Sequence, residues 1–193
     1  MKLVIVKYNA GNIQSVLYAL ERIGREAIVT DDHAAIEKAD KVIFPGVGEA
    51  STAMAYLKER KLDRLLKNLQ QPVLGICLGM QLMCRHSEEN NTECLGIFDT
   101  DVKKFKAGLK TPQIGWNTVN KLTAPLFTGI EPGAYCYFVH SYYAALCTET
   151  AAVTDYGEEF SSALQKNNFY GVQFHPEKSA ATGEKIIANF LSI

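Results

Sequence analysis

This sequence has no paired-cysteine motif, no excess charge of either sign and no long apolar run. Its five cysteines (Cys77, Cys84, Cys94, Cys136, Cys147) are odd in number and never form CxxC, which excludes a disulfide framework and a zinc ribbon as organising devices. A reducing cytoplasm is the expected setting. Lys and Arg number 20 against 21 Asp and Glu, so no broad field pulls the chain toward nucleic acid or an anionic membrane. No segment approaches the ~20 apolar residues of a membrane span. The opening run Met1 to Val6 is too short for a signal peptide and reads as a first strand. Internal repeats, low-complexity tracts and long linkers are also missing, so residues 1–193 are read as one domain. What remains is core-forming material, 47% hydrophobic, whose binding must come from local shape and chemistry.

Short β-branched runs recur at Leu3 to Val6, Ala27 to Val29, Lys41 to Phe44 and Val73 to Ile76, with helical spacing between them. That alternation predicts βαβ units and an α/β fold with a mostly parallel sheet flanked by helices. Ile13, Val16, Leu17, Leu20 and Ile23 predict the first helix, with Asn12 near its start and Gly24 at its stop. A second helical stretch carries Met54, Leu57, Leu62, Leu65, Leu66 and Leu69 up to Pro72. Beyond about Cys94 strand-like pieces follow one another without full helices, predicting an antiparallel extension of the sheet. A last helix spans about Thr182 to Leu191.

The segment Val73-Leu74-Gly75-Ile76-Cys77-Leu78-Gly79-Met80-Gln81 runs from a strand through GxCxG into a helical pattern. This is the cysteine counterpart of the serine nucleophile elbow, in which glycines permit close backbone approach and the nucleophile sits on a sharp turn. Unpaired N–H groups there favour the thiolate, and the N–H of Leu78 can face a developing oxyanion. A buried structural cysteine between packing glycines is the plainer account.

A thiolate that attacks an amide needs a group to return a proton to the leaving nitrogen, the usual work of histidine. His33 and His86 lie in polar surroundings and read as surface residues. His175 ends the strand Tyr170 to Phe174, at the edge where open α/β sheets gather chemistry, and Glu177 stands two residues on, placed to fix its tautomer. Taken alone, His-Pro-Glu is an ordinary polar turn. It also matches the HxE of zinc deaminases, but no cysteine follows Cys147 to complete that set.

GICLGMQ together with the later VQFHPEKS resembles the class I (triad) glutamine amidotransferases, over essentially the whole chain. The resemblance implies a flavodoxin-like sandwich, no cofactor and no metal. It implies a glutaminase in which Cys77 attacks the side-chain amide of L-glutamine to give a glutamyl thioester and ammonia, with His175 and Glu177 completing the triad. It further implies that Gly46, Val47 and Gly48 of the PGVG segment form an oxyanion strand with Leu78. Gln81, His140, Ser141 and Tyr142 are implied to hold the glutamine.

FPGVG, PQIGWN and YFVHSY resemble the branch that supplies ammonia to imidazole glycerol phosphate synthase in histidine biosynthesis. There the partner is a cyclase of (β/α)₈ barrel form, in a heterodimer; Asn12, Trp116, Asn117, Tyr137 and Lys178 are implied to face it. PQIGWN itself, rich in chain-breaking residues, predicts a surface loop. A glutaminase subunit of another synthase, such as that of pyridoxal phosphate, and a catalytically idle docking module are the competing readings.

Overall fold

The computed structural model describes residues 1–9 and 11–193. Its first half alternates as the βαβ pattern demands: β1 (Leu3–Val6), α1 (Ile13–Arg22), β2 (Ile28–Thr30), α2 (His33–Glu37), β3 (Lys41–Gly46), α3 (Ala50–Glu59), α4 (Leu62–Asn68), β4 (Val73–Cys77) and α5 (Leu78–Met83). The second half is mainly β5 (His86–Ser87), β6 (Thr92–Glu93), β7 (Asp101–Lys104), β8 (Gln113–Val119), β9 (Ala134–His140), β10 (Tyr142–Ala144), β11 (Thr150–Asp155), β12 (Glu159–Lys166) and β13 (Phe169–Val172), closed by α6 (Ala180–Ser192).

The strands β2-β1-β3-β4-β13 run parallel, and β12 joins β13 antiparallel to begin an extension through β10 and β7. Strands β1 and β4 are buried along their whole length, as the apolar runs of a sheet covered on both faces must be. One core layer lies under α3, α4 and α5 and contains Phe44, Leu57 and Met80; the other lies under α1 and α6 and contains Leu20, Phe138, Phe160 and Phe190. No helix among the described residues is long and apolar enough to cross a membrane.

Helix α1 stops where the sequence predicts. Gly24 takes φ +68, its N–H bonds to the Glu21 carbonyl at 2.9 Å, and the Arg25 N–H reaches back to Leu20 at 2.9 Å.

Two expectations are corrected. The stretch from Met54 to Leu69 is two helices, broken at Lys61, which is left-handed at φ 57. On one straight helix Leu57 and Leu62 would point about 140° apart at 100° per residue. Both are fully buried, so the axis must turn between them. The PQIGWN segment is the strand β8, paired antiparallel with β9 so that Trp116 faces Tyr137 and Asn117 faces Cys136. Pro112 lies just outside the strand, and Gly115 sits inside it at φ +134, so turn-favouring residues concealed its alternation.

Candidate active site

The parallel strands β3, β4 and β13 end together, with Gly46 paired to Cys77 and Val172 to Ile76. At this rim Cys77 leaves β4 at φ 53, ψ −109, a conformation that L-residues rarely adopt, and α5 begins at the next residue. Backbone strain of this kind is expected at a nucleophile elbow. The sulfur opens onto a cavity of about 380 Å³ whose lining includes Val47, Leu78, Gln81, Ser141, Tyr142 and His175. As a thiol it can donate to the Val139 carbonyl at 3.8 Å, and the Gln173 amide approaches it at 3.6 Å.

His175 reaches the same cavity from the end of β13. Its main-chain N–H donates to the Tyr137 carbonyl at 2.9 Å, and Ser179 Oγ donates to its carbonyl at 2.7 Å while accepting from the Tyr137 N–H. These bonds fasten the His-Pro-Glu turn to β9. The ring Nδ1 donates to Glu177 Oε1 at 2.7 Å, leaving Nε2 for the Cys77 sulfur. Burial favours a neutral ring, but the Cys77 thiolate and then Glu177 outweigh it and hold His175 up at about 10. The sequence-predicted trio therefore meets in one place, with the His175 ring between the Cys77 sulfur and the buried Glu177 side chain.

Asn12, directly before α1 as the sequence predicts, also belongs to this group. Its left-handed backbone, φ 75, gives its side chain no capping bond, and Nδ2 instead donates to Glu177 Oε1 beside His175 Nδ1. The remaining carboxylate oxygen, Glu177 Oε2, is buried without a hydrogen-bond partner among the described residues.

The PGVG segment divides. Val47, Gly48 and Leu78 border the cavity, and Gly48 takes φ +121, open to glycine and little else. Gly46 lies behind them, with the space a Cβ would need occupied by the Tyr8 hydroxyl at 2.0 Å.

The residues expected to hold glutamine also divide. Gln81 Nε2 donates to the Tyr142 carbonyl and to Gln173 Oε1, both at 2.9 Å, so only its own Oε1 is left for a ligand. Ser141 and Tyr142 line the cavity. His140 borders it too, but its ring turns into an aromatic cluster, 5.2 Å from Phe105 and 5.3 Å from Phe160, with Nδ1 bonded to the Tyr142 carbonyl at 2.7 Å. Its side chain is a strut under the Ser141-Tyr142 turn.

Burial lowers His140 to about 4, against the Tyr142 bond and assisted by the charge on His175. An unfolded imidazole near 6.5 takes up a proton that the native ring refuses, so this contribution is intact above that pH and is lost as pH falls through about 4. Between pH 7 and pH 4 the wild type should lose about 3 kcal/mol more stability in urea titrations than His140→Asn, whose amide can keep the bond to Tyr142. Parallel losses in the two proteins would contradict the assignment.

Two residues of the site escaped sequence reasoning. Glu89 lines the cavity, accepts from the Ala50 N–H at 2.7 Å and is raised by burial; no motif marks it. Gln173 was accessible, because alternation along β13 and its extension puts it on the same face as His175. At the cavity mouth Lys178 stands near the β8–β9 hairpin, on one face of which Ile114, Trp116 and Tyr135 are more than half exposed and Trp116 meets Tyr137 edge-on at 5.8 Å. Asn117 is spent within the chain, donating to the Asp155 carbonyl and accepting from the Thr118 N–H.

Comparison with known proteins agrees with this geometry. Residues 4–193 match the family described as glutamine amidotransferase class-I. The protein named imidazole glycerol phosphate synthase subunit HisH from Bacteroides fragilis (strain YCH46) is 60% identical over 196 residues, covering all of both chains. That of Pectobacterium atrosepticum is 49% identical, again over all of both. Among solved structures, a glutamine amidotransferase from Thermotoga maritima superposes with a TM-score of 0.65 at 18% identity, covering 99% of this chain and 82% of its own. PurLQS from the same organism gives 0.74 at 16%, covering 99% and 97%. At such identities the last two speak for the fold.

Proposed function

This chain belongs to the class-I glutamine amidotransferase family, and from that premise we propose that it is the glutaminase subunit of an imidazole glycerol phosphate synthase. The observation that carries the chemistry is the 2.7 Å bond from His175 Nδ1 to the buried Glu177 beside the Cys77 sulfur, with Cys77 and His175 opening on one cavity. Full-length identity to the HisH subunits carries the choice of branch.

The Cys77 thiolate attacks the side-chain carbonyl carbon of L-glutamine, and the oxygen gains the charge. Backbone N–H groups of Val47, Gly48 and Leu78 receive that oxyanion once the PGVG segment is suitably turned. His175 then gives its Nε2 proton to the leaving nitrogen, ammonia departs and a γ-glutamyl thioester remains. Neutral again, His175 takes a proton from water, whose oxygen attacks the thioester; glutamate leaves and the thiolate–imidazolium pair is restored. Glu177, steadied by Asn12, keeps Nδ1 protonated throughout. In the cavity Glu89 offers a carboxylate to the α-ammonium of glutamine, and the Ser141-Tyr142 turn accommodates its carboxylate end.

Ammonia set free in neutral water becomes ammonium, which has no lone pair with which to attack. The proposed acceptor is the cyclase HisF, a (β/α)₈ barrel, docked as a heterodimer over the exposed face of β8 and β9 and Lys178. It would use the ammonia to form imidazole glycerol phosphate and AICAR in histidine biosynthesis, in the cytoplasm, with residues 1–193 acting as one domain. Glutamate release by the full chain should rise about 100-fold to 1000-fold when cyclase and its acceptor ligand are added, the scale of one oxyanion donor. Equal rates with and without them would overturn partner gating.

A further inference from the structure

Gln173 is fully buried, carries no charge and has no part in the proton transfers above, yet its side chain points at the nucleophile. The direction of its amide is fixed by a chain of bonds that ends on the main chain. The Tyr142 carbonyl can only accept, so Gln81 must present its NH₂ group there; the second hydrogen of that group goes to Gln173, which must answer with oxygen. The Gln173 NH₂ group is therefore turned to the Cys77 sulfur, at 3.6 Å. Its own main-chain N–H is held by the Ser162 carbonyl at 2.9 Å, so the side chain starts from a fixed point. His140 secures the far end by donating to the same Tyr142 oxygen at 2.7 Å.

From this arrangement we infer that Gln173 is an additional residue of the catalytic site, an N–H donor that holds the Cys77 sulfur as the thiolate, and that Gln81 is a positioning residue acting through it. An amide N–H stabilises negative sulfur and gives a thiol nothing comparable, whereas the Val139 carbonyl serves only the protonated form. The donor acts twice in each turnover: it orients the thiolate for attack, and it receives the charge again when the thioester breaks and sulfur departs. The other groups facing this sulfur are the His175 imidazolium with Glu177 behind it and the buried Tyr8 phenol at the end of β1; Glu89 and Lys178 border the cavity. A substitution at Gln173 alters none of them.

The inference rests on Cys77 being the nucleophile, and its test separates the two ideas. Iodoacetamide, which needs no glutamine recognition, is reacted with the full chain between pH 5 and 9, and carboxamidomethylation is followed at each cysteine by peptide mass. Gln173→Met, similar in size and unable to donate, should slow modification of Cys77 about tenfold at pH 6 and move the acid limb of its profile up by about one pH unit. Gln81→Met, which leaves Gln173 in place but unoriented, should move it part of the way and covers the case in which the first variant does not fold. An unshifted Cys77 profile in a folded Gln173→Met protein, or in Gln81→Met should Gln173→Met not fold, overturns the inference while leaving the nucleophile intact. Modification of the wild type at other cysteines and not at Cys77 overturns both.

Discussion

Alanine in place of Cys77 is expected to lower glutamine hydrolysis by the complex at least about 10⁴-fold, because removal of the nucleophile of a triad leaves only binding and oxyanion stabilisation. The fold should survive. Alanine carries the same Cβ as cysteine through the φ 53 elbow, and the contacts of the sulfur with the Val139 carbonyl and the Gln173 amide are long, at 3.8 and 3.6 Å. Synthesis by the partner from added ammonium salt should persist at the same time, since the barrel would then receive its nucleophile from solution. A variant that retained a tenth of the glutaminase rate, or that lost the ammonia-dependent reaction as well, would place the chemistry elsewhere.

The second large effect is structural and lies two residues along. A Cβ on Gly79 would fall 1.8 Å from the Phe44 carbonyl oxygen and 2.9 Å from its carbon, so Gly79→Ala sets a methyl group against the backbone of β3, which cannot swing aside as a side chain could. Helix α5 must then lift from the sheet by on the order of an ångström to restore van der Waals separation. Overpacking of this kind costs about 3 kcal/mol or more when backbone is the obstacle. Because α5 begins immediately after Cys77, the shift also moves the sulfur relative to His175. Chemical denaturation should show the lost stability, and the folded fraction should show little glutaminase activity. A midpoint unchanged from wild type would mean that α5 does not pack on β3 as described.

Much of this architecture is legible in the residues because single elements carry their own rules. The parallel strands announce themselves as uninterrupted apolar runs, and α1 announces both its buried stripe and its Gly24 stop. The nucleophile and its base are legible for a related reason: Gly75 to Gly79 lies between an apolar strand run and a helical pattern, and His175-Pro176-Glu177 directly follows the strand-like run from Tyr170 to Phe174.

What stayed hidden depends on contacts between distant segments. The break at Lys61 follows from two leucines having to reach one core, which periodicity alone reads as a continuous helix. Strand β8 was masked by Gly115 and the adjoining Pro112, whose usual meaning is a turn. Asn12 reads locally as a helix start, and only the folded chain shows its side chain reaching 165 residues onward to Glu177. His140 is the reverse case. Its neighbours border the cavity, but its ring is drawn into the cluster of Phe105, Phe138 and Phe160. Glu89 has no pattern of any kind and is known only by where its carboxylate lies.

The most direct measurement treats the full chain with a glutamine analogue bearing a diazoketone in place of the amide, then maps the adduct by peptide mass. The other four thiols are poorly disposed to react, since burial pushes Cys94 and Cys136 up to about 12 and raises Cys84 and Cys147 as well. A single adduct on Cys77, prevented by excess glutamine, is the predicted result. An adduct on any of the other four, with Cys77 unmodified and hydrolysis abolished, would contradict the account.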